Sequence, residues 1–237
     1  MHTQQTERTA LLLGEERVKA LAEKHVLVVG LGGVGGIAVE MLARAGVGRF
    51  TLVDGDKVSI SNTNRQVIAF MDNIGTPKVD AMAHVLRRIN PDIALTCYNQ
   101  YLEEYDIAPL LERDNYDFVL DCIDTVAPKC ALLAACRERK IAVVSSMGAG
   151  AKSDPSRIKV DDISKTSYCL LARVVRRRLK EMGIKKGIPT IFSTEEARKE
   201  AVRRGSQERG KGSTVGTVSY MPNLFGCHMA AYVLEHL

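Results

Sequence analysis

The sequence predicts an α/β protein, a Rossmann-like doubly wound sheet followed by a C-terminal substrate-binding extension. Three observations carry this. Short apolar runs suited to buried parallel strands alternate with runs of helical period from residue 26 to residue 145. A Gly30-x-Gly32-x-x-Gly35 turn, with Gly33 as a fourth glycine, follows the first of these runs, as a tight turn bringing backbone onto a phosphate requires. Asp54 closes the second run, 24 residues past Gly30, the usual place of a carboxylate that binds ribose hydroxyls.

Taken in order, 9–23 reads as a helix with Arg8 just before it. Strand 26–29 leads through the glycine turn into helix 34–45, whose N-terminal N–H groups and positive dipole end face the turn. A second strand ends at Asp54, and 54–75 is a polar loop with an apolar insert at 67–70. Pro77 stands at the head of a helix over 78–89 that Asn90-Pro91 ends, with Ala81, Val85, Leu86 and Ile89 on one face. Strand 93–98, helix 106–112 and strand 117–121 follow, the last delivering Asp124 to its C-terminal end. Helix 126–139 and strand 141–145 complete the alternation. Past residue 146 the pattern changes to a glycine-rich loop and a strand at 157–160. A basic amphipathic helix over 167–182 carries Arg173, Arg176, Arg177, Arg178 and Lys180. A strand at 191–194, a polar mobile stretch over 195–213, a strand at 217–220 and a helix over 223–237 end the chain. We therefore expect a nucleotide-binding part at 1–146 and a basic part at 147–237 of one compact unit.

Composition sets the class. The 237 residues are 46% hydrophobic and 26% charged, ordinary for a soluble domain with a full core. No apolar run reaches the ~18 residues of a membrane helix, and the first residues lack the pattern of a secretory signal. The expected setting is cytoplasmic, with no membrane partner. The six cysteines are irregularly spaced without a C-x-x-C pair, which argues against a zinc knuckle and a disulfide framework. Residues 165–211 hold 14 Lys/Arg against 5 Asp/Glu, a net of +9, while the rest of the chain carries a net of −4. Such a segment is either a solvated basic face or a surface for a polyanion.

The glycine turn alone fits several nucleotides. It has no G-K-[ST], so it supplies no lysine to a phosphate. Asn62 and Arg65 follow the second strand closely, and Lys78 comes three residues after Gly75. An amide and two cations beyond Asp54 suit a triphosphate better than the two phosphates of a nicotinamide cofactor. Gly33, in turn, is expected to leave room for a substrate carboxylate beside the nucleotide.

Gly30-x-Gly32-Gly33-x-Gly35, Asp54-x-Asp56, Ser61-Asn62-x-x-Arg65-Gln66, Gly75-x-x-Lys78 and Asp121-x-x-Asp124 together resemble the ordered motif set of the ubiquitin-activating-like superfamily. Its bacterial members adenylate the C-termini of sulfur carriers. The second half, with SSMGAGAKSDPSRIKVDDISKT, RVVRRRLK, IFSTEEA and SYMPNLFGC, resembles the branch that acts on threonylcarbamoyladenosine next to the tRNA anticodon. The resemblance implies ATP-dependent activation of that nucleoside's carboxylate and closure to a cyclic form. It also implies site residues. Gly30, Gly32, Gly33 and Gly35 cradle phosphates, Asp54 and Asp56 belong to the ATP site, and Asn62, Arg65 and Lys78 neutralise the triphosphate. Asp124 binds Mg²⁺. Arg8 matches an N-terminal arginine that relatives insert into the partner subunit's ATP site, which implies a homodimer. The basic helix is the expected tRNA surface, and sulfur-relay proteins are further candidate partners. The competing reading is adenylation of the C-terminal glycine of a ubiquitin-like sulfur carrier. A nucleotide-dependent RNA-binding protein without turnover is a rival from another class.

Overall fold

The computed structural model of the chain describes residues 3–205 and 213–237. Seven strands make one sheet: β1 (His25–Val29), β2 (Arg49–Val53), β3 (Ala94–Tyr98), β4 (Phe118–Asp121), β5 (Val143–Ser146), β6 (Ile158–Asp162) and β7 (Pro189–Ser193). Their order is β3-β2-β1-β4-β5-β7-β6. All pairings are parallel except that of β6, which lies antiparallel on the edge against β7. Every residue of β1 is buried, as in a parallel strand covered on both faces. Alternation splits it between two cores. Val26 and Val28 join Val39, Leu42, Met82, Leu86, Phe225 and Met229 on one face. Leu27 and Val29 join Leu110, Leu132, Leu133, Val175 and Leu179 on the other.

The helices of the first half are α3 (Gly35–Ala45), α4 (Lys78–Ile89), α5 (Ile107–Glu112) and α6 (Val126–Arg139), within two residues of expectation. The C-terminal part continues the same sheet. β7 pairs with β5, and α7 (Leu170–Glu181) packs on α6. α8 (Tyr220–His236) lies along α3, and Gly226 permits the close crossing: a Cβ there would meet Ile37 Cγ2 at 2.3 Å and Val34 O at 2.4 Å. Val29 is in register with both Val53 and Asp121, so Gly30 and Cys122 leave the sheet side by side. This is the point where strand order reverses, and doubly wound sheets bind ligands at the carboxyl edge there.

Several expectations change. The helix expected at 9–23 is two, α1 (Thr3–Leu13) and α2 (Glu15–Ala22), divided at Gly14 with φ 93°. The strand expected at 217–220 does not form. Instead β9 (Ser213–Val215) pairs antiparallel with β8 (Val202–Arg204), and α8 starts at Tyr220. The helix runs through Pro222, because a proline in a first turn lacks only an N–H that has no helical partner. The polar stretch expected to be mobile carries structure over 195–205. Besides β8, Glu195 accepts the N–H groups of Ser153 and Asp154 at 2.9 and 2.7 Å. Residues 206–212 of that stretch, including the basic residue at 211 that ends the charged segment, lie outside the described residues. Among the described residues, no helix is long and apolar enough to cross a membrane.

Candidate nucleotide site and basic face

The glycine turn is fixed by contacts that exclude side chains. Gly30 has φ +93°, and a Cβ on it would lie 2.8 Å from Cys122 O. One on Gly35 would lie 1.9 Å from Gly30 O. At Gly32 the space is open, with only Gln66 Nε2 at 4.0 Å. Beyond it lies the first turn of α3, where the Gly36 N–H already donates to Gly32 O at 3.1 Å and the positive end of the helix dipole faces the turn. Gly33 is closely packed. A Cβ there would meet Pro222 Cβ at 3.1 Å and Arg65 Cγ at 3.4 Å, so its small size serves the packing of α8 and Arg65.

Asp54 holds the turn from the neighbouring strand end. Its Oδ2 accepts the Leu31 N–H at 2.6 Å and its Oδ1 accepts the Asp56 N–H at 2.7 Å. Burial pushes its carboxyl above the ordinary range, with the Lys78 charge pulling the other way. Lys78 is 5% exposed, and its Nζ lies 2.7 Å from Asp56 Oδ2. The Tyr101 hydroxyl donates to the other oxygen of Asp56 at 2.8 Å. Asp56 and Tyr101 therefore aim the lysine. Asn62 is buried within a short 3-10 turn, its Oδ1 accepting Ser59 N–H at 3.1 Å. That turn presents Arg65, whose Nη1 donates to Ser61 O at 2.8 Å and Asn64 Oδ1 at 2.7 Å. From α8, Asn223 donates through Nδ2 to Arg65 O at 3.1 Å.

The loop after β4 closes the other side. Asp121 and Lys129 are fully buried and paired at 2.8 Å. Ser145 Oγ donates to Asp121 at 2.6 Å. Ile123 donates its N–H to Asp121 at 3.2 Å and accepts from Lys129 Nζ at 2.8 Å. Both peptide groups of Ile123 are thus clamped, which presents the exposed Asp124 next to the Gly30 turn. Burial raises the Asp121 carboxyl above its ordinary range, against the pull of Lys129.

The structure brings together Gly30, Gly32, Gly33, Gly35, Asp54, Asp56, Asn62, Arg65, Lys78 and Asp124. It does not bring Arg8 to them. Arg8 shares a depression of about 520 Å³ with Leu12, Arg17, Ala45 and Leu234, at the C-terminal end of α3. The glycine turn is at the other end of that helix, roughly 15 Å away for its length. Of the basic helix residues, Arg173, Arg177, Arg178 and Lys180 are exposed. Arg176 is half-buried, and its Nη1 donates to Thr166 O at 2.9 Å and to Thr166 Oγ1, tying α7 to the preceding turn. Cys169 caps α7, its Sγ accepting the Ala172 N–H at 3.5 Å. Burial pushes the Cys130 and Cys136 thiols up to about 11 and about 12, which leaves them inert near neutral pH.

Sequence reasoning missed Tyr101, Lys129 and Asn223. Lys129 had one available signal, a lone lysine on the inward face of an apolar helix. The other two act across long sequence separations. It also missed Lys152, buried in the glycine-rich loop after β5 with Nζ 2.7 Å from Ser193 O. Burial lowers its pKa.

The glycine turn, the paired strand-end acids and the two cations define an adenylate-type nucleotide site on a doubly wound sheet. The ThiF family profile matches residues 5–237, and the chain belongs to the ThiF family. Within it, the chain falls in the tRNA threonylcarbamoyladenosine dehydratase branch. It is 43% identical over 194 residues to the tRNA threonylcarbamoyladenosine dehydratase of Escherichia coli K12, covering 79% of this chain and 72% of that protein. It is 38% identical over 240 residues to the Bacillus subtilis 168 protein of the same name, covering 98% and 94%. The crystal structure of the E. coli tRNA N6-threonylcarbamoyladenosine dehydratase in complex with ATP superposes with a TM-score of 0.89 at 37% identity, covering 98% of this chain and 93% of that one.

Proposed function

We infer that the chain uses ATP to activate the carboxylate of threonylcarbamoyladenosine in tRNA and closes it to a ring with net loss of water. The observation that supports this is that Arg65 packs on Gly33 of the glycine turn and Lys78, held by Asp56, acts on Asp54, which braces that turn, in a chain related over nearly its whole length to such dehydratases. A carboxylate cannot expel its oxygen at neutral pH. Transfer of AMP from ATP to that oxygen, with pyrophosphate leaving, makes it part of a leaving group. An atom of the neighbouring carbamoyl group then attacks the activated carbonyl within the same molecule, losing its proton as AMP departs. Intramolecular attack of this kind gains effective concentrations of about 10⁵–10⁸ M, so no protein nucleophile is required. This agrees with Cys169 serving as a helix cap.

The residues fit a nucleoside triphosphate. Asp54 is placed for ribose hydroxyls, the open side of Gly32 and the first turn of α3 for phosphate oxygens, and Arg65, Lys78 and Asn62 for the charge that builds during transfer. Asp124 is the residue to hold Mg²⁺, an ion that takes one or two carboxylates and fills its shell with phosphate oxygens and water. Its chemistry there is to neutralise phosphate charge. The basic face of α7 and the parts beyond residue 146 serve the tRNA. Free thiols and an intracellular nucleotide substrate suit a cytoplasmic setting. Nucleoside mass spectrometry tests the reading. Hypomodified tRNA carrying threonylcarbamoyladenosine, incubated with the chain and ATP, is expected to lose one water at that nucleoside. No change in mass, together with adenylation of a sulfur-carrier C-terminus, would favour the competing reading.

A homodimer accounts for Arg8. Leu11 and Leu12, on the same helix, are each 83% exposed. Ile60, Phe70, Met71 and Ile74 are exposed around the loop that carries Asn62 and Arg65. Joining these surfaces would cover apolar area and supply Arg8 to the site of a second copy. Arg8→Ala and Lys78→Ala chains, each inactive alone, are then expected to regain a substantial fraction of activity when mixed and re-equilibrated. Continued inactivity of the mixture, with mixed dimers demonstrated, would mean that each site is complete within one chain.

A further inference from the structure

The turn that leads into α7 presents an aromatic ring that the fold does not use. Tyr168 is 63% exposed, and its φ of +50° is a left-handed backbone conformation that bulky L residues rarely adopt. Phe192, the other aromatic residue of this region, is 2% exposed and belongs to the core. The contrast separates two residues that sequence composition treats alike. The unusual backbone swings the Tyr168 ring outward at the head of a basic helix.

Two neighbours give this position a direction. Leu170, Arg173, Val174, Arg177 and Lys180 fall at helical spacing on one face of α7 and, with Arg176 and Lys185, line an open depression of about 700 Å³. Among the described residues, Arg177 has only a loose pair, with Glu181 at 4.0 Å. On the other side, the Cys169 thiol lies 3.5 Å from where a Gly148 Cβ would sit. Gly148 belongs to the loop after β5, and β5 neighbours β4 in the sheet. Tyr168 therefore stands between a cationic stripe and the carboxyl edge of the sheet that carries the glycine turn and Asp124.

We propose that Tyr168 is a stacking platform for an unpaired base of the RNA loop, held there while the phosphates run along the Arg173–Arg177–Lys180 stripe. The inference rests on the tRNA reading given above. A cationic track with a free aromatic face at its end is the arrangement that binds single-stranded RNA without reading sequence. Phosphates pair with the cations, and any base has a π-face to lay on the ring. The stripe favours a polyanion over an apolar protein segment, and the exposed ring favours splayed bases over a closed duplex, whose bases are stacked among themselves. Arg176 lines the same depression, with its Nη1 held by Thr166 O at 2.9 Å.

The test is titration of the full-length chain with tRNA, by fluorescence anisotropy, across a range of salt concentrations. Tyr168→Ala is expected to weaken binding by about tenfold, within the span of single base–aromatic stacks, without changing the slope of log affinity against log salt. In turnover it raises KM for tRNA and leaves KM for ATP and kcat unchanged. Tyr168→Phe is expected to bind as the natural chain does. Tyr168→Asn, which suits the left-handed backbone and lacks the ring, is expected to match Tyr168→Ala. The Arg173→Ala, Arg177→Ala pair is expected to lower both affinity and salt slope. Affinity unchanged in Tyr168→Ala and Tyr168→Asn, with the arginine pair still weakened, overturns the stacking role and leaves the RNA surface standing. Equal loss in Tyr168→Phe and Tyr168→Ala also overturns it, since the hydroxyl would then be the contact. If the arginine pair keeps natural affinity and slope, tRNA does not use this face, and the RNA surface and the stacking role fall together.

Discussion

Lys78→Ala is expected to reduce kcat by about 10²–10³ at saturating ATP and tRNA, the usual cost of removing one preorganised donor from a developing charge. The size of the effect follows from burial. Lys78 is 5% exposed, so its charge acts through little water. It is aimed before any ligand arrives, by Asp56 at 2.7 Å and by the Tyr101 hydroxyl behind Asp56 at 2.8 Å. Stability should change far less. The Asp56 side chain is 50% exposed, so the orphaned carboxylate can take water in place of the ammonium. A loss of up to about 1 kcal/mol corresponds to a melting shift of roughly 2–4 °C for a chain of this size. Tyr101→Phe is a gentler companion, expected to lower kcat several-fold by loosening Asp56 without removing a charge. Steady-state turnover and thermal melts of the same preparations distinguish the outcomes. Natural turnover in Lys78→Ala would remove this lysine from the chemistry.

Lys129→Met is expected to have the largest effect on stability. Asp121 and Lys129 are fully buried partners at 2.8 Å, and removing one member of a buried pair costs about 3–5 kcal/mol. At roughly 2–4 °C per kcal/mol, the melting temperature should fall by about 6–20 °C. The deficit should depend on pH in a defined direction. Burial already raises the Asp121 carboxyl, and without Lys129 it rises further. The folded variant then holds a proton that the unfolded chain releases near pH 3.9. More protons bound in the folded state means stability that falls as pH rises. The variant should thus lie closer to the natural protein at pH 5 than at pH 8. Lys129→Met with Asp121→Asn should recover part of the loss by removing the buried charge. Chemical denaturation at the two pH values checks both statements, and a pH-independent deficit would show that packing rather than charge is the cause. Activity should fall as well, because Ile123, whose N–H and carbonyl the pair holds, is the residue before Asp124.

Much of this was legible along the chain because the physics is local. Apolar runs of strand length placed β1, β2 and β4, and the 3.6-residue period placed α4 and α6. The glycine spacing located the turn, and Asp54, Arg65 and Lys78 were legible because each sits at a strand end, a loop or a helix start just beyond it. The errors share a cause. Gly14 divides a helix by backbone conformation, and α8 begins at Tyr220 where a strand was expected, since Pro222 is tolerated in a first turn. The polar 195–205 stretch was assigned no structure because the partners of Glu195, Ser153 and Asp154, are distant in sequence.

The sequence by itself determined the class of site: which residues surround the glycine turn, that cations rather than a P-loop lysine serve it, and that the basic charge belongs to one segment. Only the tertiary structure decided how those residues are held and which are available. It showed Lys78 aimed by Tyr101 through Asp56, Asp124 presented by a buried Lys129–Asp121 pair, and Gly33 small for the sake of Pro222. It also anchored Arg176 to Thr166, separated Arg8 from its own chain's site, and left Tyr168 rather than Phe192 open to a ligand. The physical reason is that composition and spacing fix which chemical groups the chain has near one another along its length. Burial, hydrogen-bond partners and side-chain direction depend on elements far apart in sequence, and they are set only when the sheet and helices pack.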